Sequence, residues 1–250
     1  LSKIAEETSN RFDVDYLSFQ AISEKKGYAE FASFFNVIEK EKGLAVPSQL
    51  DYCEIGNVEK TGDIRPVILD EEYRNELNEN FFSKIEKGDI IKPSEGDILL
   101  SSVRPKLNKI VYVDADKSEV YFTKAFIQLR PKTSGHLLYY LLRTVFLSNL
   151  INIAREGKGY PTLKKEDLTY LKFDPKIIEL YKKKEVSIIG KIQKIENEIK
   201  DLKSKVKDAR PVIDKIIGKE FNISWSKVLK EDGKKVLTKS IKSFHDDNEN

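Results

Sequence analysis

The chain has 250 residues, 40% of them hydrophobic and 34% charged, with 44 Lys and Arg against 41 Asp and Glu. That length allows one domain or two; an aromatic share of 10% is enough for a packed core, and 12 Gly with 8 Pro exclude a collagen-like or low-complexity chain. The net charge of +3 conceals an asymmetry: residues 1–100 hold 12 basic and 21 acidic side chains, 101–176 hold 14 and 7, and 177–250 hold 18 and 13, so a polyanion is attracted to the last two blocks and repelled by parts of the first.

Residues 1–45 read as mainly helical. Ile4, Phe12, Tyr16, Phe19 and Ile22 recur at spacings near three to four, and Phe31, Phe34, Phe35 and Ile38 form a second apolar cluster. Gly43 and Pro47 end that region. From Asp51 the texture changes. Residues 52–58, the turn Thr61-Gly62-Asp63 and residues 64–69 predict strand, turn, strand. Glu71, Glu72, Glu76 and Glu79 predict a short exposed helix. Strands are predicted at 98–103, which Pro105 stops, and at 109–113, 119–122 and 125–129.

Thr133 or Ser134 can cap a helix running to about Ile153, with Leu137, Leu138, Leu141, Leu142, Val145 and Phe146 as its apolar stripe. Residues 137–153 are the longest apolar stretch, but Arg143 in the middle argues for a buried helix of a soluble protein rather than a membrane span. Two glycines and a proline make 155–162 a loop, and a short strand follows at 170–173.

Asp174-Pro175 predicts the start of the clearest element, with Asp as cap and Pro in the first turn. Ile178, Glu185, Ile192, Ile199 and Val206 fall at heptad position a, and Tyr181, Ile188, Ile195, Leu202 and Ala209 at d. Only Glu185 breaks the apolar pattern, which predicts a coiled coil. At 1.5 Å per residue, 178–209 spans roughly 48 Å. Such a helix needs a second one, from this chain or another, to cover its seam. A further helical stretch is predicted over 211–217, ended by Gly218, and 245–250 is a polar tail.

No catalytic constellation is visible. Phosphate-cradling glycine motifs and the Gly-x-Ser-x-Gly elbow are missing, and His136 and His245 lack metal-ligand spacing. The one cysteine, Cys53, can form neither an internal disulfide nor a structural zinc site; it reads as a small buried apolar side chain. A reducing, intracellular, cytoplasmic setting fits. The Glu198-Ile-Lys200 triplet reads as a solvated charge pair on the coiled coil. No cofactor is called for, and a binding protein is the better reading than an enzyme.

The candidate binding surface is a set of loops. Ser101, Ser102, Arg104, Lys106, Asn108 and Lys109 put three cations and several hydrogen-bonding groups on one connection. Arg104 can fork onto guanine O6 and N7 or onto a phosphate. Arg155, Lys158, Lys164 and Lys165 surround the glycine-rich loop, with Tyr160 as an aromatic face and Thr162 beside it. Arg65, on the strand after the first turn, completes the set. A solvated turn is the plain alternative for each loop.

The ordered segments Tyr52-Cys-Glu-Ile-Gly-Asn-Val58, Thr61-Gly-Asp-Ile64, Glu95-Gly-Asp-Ile-Leu-Leu-Ser-Ser-Val-Arg-Pro105 and Lys109-Ile-Val111 resemble a target-recognition domain of the specificity (S) subunits of type I restriction–modification systems. The Gly159-Tyr-Pro-Thr-Leu-Lys-Lys-Glu-Asp-Leu168 loop, the Leu171-Lys-Phe-Asp-Pro175 exit and the long helix behind it match the same layout, as does the lead-in Arg11-Phe-Asp-Val-Asp-Tyr16. The likeness covers about 45–218.

The resemblance implies an α+β fold: a β-rich target-recognition domain with flanking helices over 1–174, a coiled-coil spacer or dimerisation helix over 175–218, and a C-terminal segment over 219–250. It implies a non-catalytic protein that reads one half of a split double-stranded DNA target and recruits methyltransferase (modification) and restriction subunits. Ile178, Tyr181, Ile188, Ile192, Ile195, Ile199, Leu202 and Val206 would pair the helix with another. An S subunit usually carries two recognition domains and two helices. Here one of each is found, so the second half comes either from a second copy or from a longer chain in which 221–250 opens the next domain. Two other readings stay open: a recognition region of a fused restriction–methyltransferase polypeptide, and a coiled-coil scaffold whose head binds protein.

Overall fold

The architecture follows from how apolar residues are distributed over strands that have two faces to cover. In a computed structural model, the described residues are 14–39, 44–156, 159–205, 215–217 and 219–220. The chain divides into two units, 1–189 and 190–250.

Among the described residues, the first unit contains helix α1 (Val14–Lys25), strand β1 (Ala29–Glu30), a 3-10 turn (Phe31–Ser33) and β2 (Phe35–Val37). There follow β3 (Leu50–Cys53), β4 (Val67–Leu69), the short helix α2 (Phe81–Glu86), β5 (Ile90–Ile91) and β6 (Ile98–Ser101). A 3-10 turn (Pro105–Leu107) leads to β7 (Ile110–Tyr112), α3 (Ala115–Ser118), β8 (Tyr121–Thr123) and β9 (Phe126–Pro131). Then come α4 (Gly135–Arg143), α5 (Leu147–Ile153), β10 (Arg155–Glu156), β11 (Pro161–Thr162), a 3-10 stretch (Lys165–Tyr170), β12 (Lys172–Phe173) and α6 (Pro175–Lys205). The fold class is α+β, β-rich in the middle with a long helix at the end.

Two four-stranded sheets carry the unit. One runs β2-β9-β6-β7 and is antiparallel throughout. The other runs β4-β3-β8-β5, with β3 and β8 parallel. Successive side chains on a strand point to opposite faces. In β6, Ile98 and Leu100 face a core shared with α1, α4, α5, Phe173 and Ile178, while Leu99 faces a second core with Cys53, Val111, Phe122 and Phe126. The same division places Ile110 in the first core and Val111 in the second. On the other sheet, Cys53, Ile91 and Phe122 turn toward the second core, and Tyr52, Ile90 and Tyr121 toward a third beneath Phe81 of α2. The first sheet is covered on both faces, which is why β6 reads as a continuous apolar run rather than an alternating one.

Several predicted elements come out differently. The Phe31–Phe35 cluster is not helical; Phe31 sits in the 3-10 turn and Phe35 in β2, paired opposite Pro131. The predicted acidic helix is a chain of turns. Asp70 Oδ1 accepts from Glu72 N–H at 3.0 Å, and Asn75 Oδ1 accepts from Leu77 and Glu79 N–H at 3.0 and 2.9 Å. These side chains offer the backbone local partners that compete with a helix, and Asn78 takes the left-handed conformation at φ 56°. The predicted long helix over 133–153 is broken after Arg143. Ser134 caps its start, accepting from Leu137 N–H, and Thr144 Oγ1 donates to Tyr140 O at 2.6 Å where the first piece ends. The break lets Phe146 turn inward, with its ring 4.3 Å from that of Phe173.

Helix α6 begins as its sequence predicts: Asp174 Oδ1 accepts from Lys176 N–H at 2.9 Å. Its heptad residues do not act as one seam. Ile178 is 3% exposed in the first core, and Ile177 and Tyr181 pack against that core. Ile178 thus contributes to the core of its own chain, and Tyr181 is half-buried against it. Ile188 and Ile192 are half-buried, whereas Ile195, Ile199 and Leu202 are exposed. In the second unit, α6 continues to Lys205, and residues 215–217 and 219–220 are helical. Val206, Ala209 and the 221–250 segment lie outside the described residues, as do Ile4, Phe12 and the 11–13 part of the lead-in.

Candidate nucleic-acid interface

The sequence-predicted loops are zipped together by their backbones. Ser102 N–H donates to Ala125 O at 2.9 Å, which pins the end of β6 to the turn before β9. Leu163 N–H donates to Ser102 O at 2.8 Å, Val103 and Thr162 form an antiparallel bridge, and Arg104 N–H donates to Pro161 O at 2.8 Å. The 101–109 connection thus borders the β10–β11 hairpin, although the bonded residues lie 57 to 61 positions apart in sequence.

Within the connection, Arg104 (φ 49°, ψ 62°) and Asn108 (φ 56°, ψ 36°) are left-handed residues that flank the Pro105–Leu107 turn. Asn tolerates that conformation because its short amide can bond locally, and Asn108 Nδ2 donates to Arg143 O at 3.0 Å. Arg104 has no such excuse, and the proline after it further disfavours helical backbone. Its strain is held by the bond to Pro161 and by its own carbonyl, which accepts from Leu107 N–H at 2.8 Å. Its guanidinium lies over the Tyr160 ring, 5.1 Å from the centroid, within cation–π range.

Beside this stack is a cleft of about 680 Å³ with Leu107, Ile151 and Ala154 among its lining residues and Arg104, Glu156 and Tyr160 at its polar edge. Ile151 is 40% exposed there.

The cations fall into two groups. Arg104, Lys106 and Lys164 are exposed and make no ion pair with a described residue. The others are engaged. Arg155 Nε donates to Asp167 Oδ1 at 2.7 Å, and Asp167 is fully buried. That hydrogen bond raises the Arg155 guanidinium above its already high range. Asp167 Oδ2 also accepts from Lys164 N–H at 2.9 Å. Lys165 Nζ donates to both carboxylate oxygens of Glu39, at 2.7 and 2.5 Å, which raises its ammonium above the ordinary lysine range. Lys109 Nζ donates to Ile55 O at 2.6 Å.

Two of the hydroxyl candidates are also engaged. Ser101 is 2% exposed and its Oγ donates to Val103 O at 2.8 Å, so it shapes the turn. Ser102 Oγ donates to Ala125 O at 2.6 Å. Arg65 pairs with Glu59 at 2.5 Å but keeps 79% of its side chain exposed; a pair that open is weak and readily exchanged. Lys158 lies outside the described residues.

Three residues that shape the site escape sequence reasoning. Arg143, read only as a charge in an apolar helix, donates from Nη1 to Tyr139 Oη at 2.5 Å and from Nη2 to Lys60 O at 2.6 Å, while its carbonyl holds Asn108. It ties the 59–63 turn to the 101–109 connection. A lone arginine in an apolar stripe is the signal that could have found it. Asp167 and Glu39 carry no such signal, since each is one acid among many.

Among the described residues, no group of three or more His, Cys, Asp or Glu could hold a metal ion, and no helix is long and apolar enough to cross a membrane. Cys53 is fully buried; burial pushes its thiol up to about 12, as does the neighbouring Glu54. The His136 ring lies 4.0 Å from that of Tyr112.

No protein-family model matches the chain, and no curated protein sequence matches it. Solved structures do. The chain is similar to the HsdS subunit from Thermoanaerobacter tengcongensis, with a TM-score of 0.48 and 15% identity over 78% of this chain and 48% of that one. It is also similar to a chain from a structure described as showing complex assembly and conformational transition of the type I R-M system, with a TM-score of 0.45 and 15% identity over 75% of this chain and 50% of that one. The chain spans about half the length of each.

Proposed function

We propose that this protein is a non-catalytic reader of double-stranded DNA sequence, the specificity subunit or half-subunit of a type I restriction–modification complex. The observation that carries the reading is the zipped loop pair, which leaves Arg104, Lys106 and Lys164 exposed on adjoining segments, with Arg104 over the Tyr160 ring. Lys106 and Lys164 would hold phosphates, releasing counterions and fixing register. Arg104 would reach a base edge in the major groove. Helix α6, 31 residues long, would act as a spacer of roughly 46 Å at 1.5 Å per residue. Its exposed Ile195, Ile199 and Leu202 would pair with a second helix, from another copy or from a longer chain, to set the distance between two readers. Methyltransferase and restriction subunits would supply the chemistry. The sequence resemblance supports the same assignment.

The test is to select bound duplexes from a randomised pool and to map methylated genomic sites in cells that express the chain with its cognate methyltransferase. Enrichment of one split motif, with affinity falling steeply as salt rises, is the expected result. A symmetric motif assigns the second half to another copy, and an asymmetric one to another recognition domain. A chain that enriches nothing and binds every duplex alike, or none, overturns the reading in favour of a protein-binding scaffold.

A further inference from the structure

We infer that Tyr160 is a positioning residue for Arg104, holding its guanidinium in a base-reading posture before DNA arrives, and that the base read is a guanine. The inference rests on the DNA-recognition reading and deepens it.

Four observations converge. The backbone of Arg104 is left-handed and precedes a proline, a conformation that persists only where the surroundings hold it. What holds it is the facing hairpin, through the 2.8 Å bond from Arg104 N–H to Pro161 O. Pro161 adjoins Tyr160, so the contact that fixes the arginine backbone also delivers the ring that meets its side chain at 5.1 Å. Finally, Arg104 pairs with no described carboxylate, although Glu156 lines the same cleft. That distinguishes it from Arg155 and Lys165, whose charges are engaged by Asp167 and Glu39.

The chemistry follows from the shape of the group. The Arg104 guanidinium is held 5.1 Å from the Tyr160 ring centroid, and a guanidinium carries its N–H donors in its own plane. Two of them form a fork that matches two adjacent acceptors. In the major groove, guanine presents such a pair in O6 and N7, whereas adenine presents one acceptor and one donor. The contact with the ring also restricts, before binding, rotamer freedom that an exposed arginine would otherwise lose on contact. Lysine, a point charge on a flexible stem, reproduces neither effect. Tyr160 is 41% exposed, so replacing its ring leaves the cores intact.

The experiment uses the full chain and the duplex enriched from the randomised pool, together with copies in which each G·C pair is changed in turn to A·T. The readout is the ratio of affinities for the enriched and altered duplexes, beside affinity for an unrelated duplex and the melting temperature. Arg104→Ala is expected to lower the ratio by roughly 5- to 150-fold at one G·C position, the range for a bidentate base contact. Tyr160→Leu is expected to lower it about two- to fivefold at that same position, the range for an exposed cation–π contact. Tyr160→Phe keeps the ratio, Arg104→Lys does not, and melting temperature stays at the wild-type value for both Tyr160 variants. The inference is overturned if Tyr160→Leu leaves the ratio unchanged while the wild type discriminates, or if it lowers affinity for all duplexes equally. It is also overturned if Arg104→Ala lowers the ratio at no G·C position. A wild-type chain that discriminates among no duplexes overturns the DNA reading as well.

Discussion

The 101–109 connection and the 155–165 hairpin region are equally basic on paper, and they differ in which of those charges an acid has already met. In the first, Arg104 and Lys106 stand in solvent with no described acid against them, and the strain sits in the backbone. In the second, Arg155 is drawn onto the buried carboxylate of Asp167 and Lys165 onto Glu39, so two cations brace the fold. A count of lysines and arginines in a loop therefore overstates the charge it can offer to a polyanion. What matters is whether an acid from a distant segment has already met each cation.

The largest expected effect separates the two regions by stability. Asp167→Ala leaves Arg155 without its buried partner and Lys164 N–H without an acceptor. We expect a loss of about 3 kcal/mol by denaturant unfolding, at the low end for a broken buried pair because Arg155 keeps 31% of its side chain in solvent. Arg104→Ala, by contrast, is expected to shift stability by no more than about 0.5 kcal/mol. If both variants unfold alike, the contrast between bracing and presenting loops is wrong.

Salt dependence sharpens the same contrast. Each phosphate-neutralising cation contributes roughly −0.9 to the slope of log affinity against log salt. Removal of Lys106 or Lys164 is expected to flatten the slope by about that amount, whereas Lys165→Ala leaves it nearly unchanged, as read in a titration from low to physiological salt.

The smallest expected effect is a gain. Glu39→Gln releases Lys165 and is expected to steepen the slope by at most about 0.9. The result should be the same at pH 7 and pH 9. The hydrogen bond to Glu39 raises the Lys165 ammonium, so the pair is fully formed below the ordinary lysine range and is lost only as pH rises through the raised value. A gain that appears at one of these pH values and not the other would contradict that pairing.

Much of the scaffold is legible in the sequence. The Ile98-Leu99-Leu100 run marks a strand, and Asp174-Pro175 marks the start of α6 because capping and proline geometry are local effects. The misread elements are those in which a nearby side chain captured the backbone or a distant strand recruited it. Asn75 and Asp70 turned an acidic helix into turns, and β9 drew Phe35 into a sheet. The loops at the candidate site were legible as loops, but not which of their cations would be left unpaired.

By itself, the sequence determined where the long helix begins, and that a basic, glycine-punctuated stretch follows an acidic first hundred residues. Tertiary structure alone decided that Ile178 belongs to a core, that Asp167 and Glu39 engage Arg155 and Lys165, and that Tyr160 meets Arg104. The reason is physical: helix caps and strand alternation depend on neighbours a few residues away. Ion pairs and stacks depend on which of many similar side chains the folded backbone brings within a few ångströms.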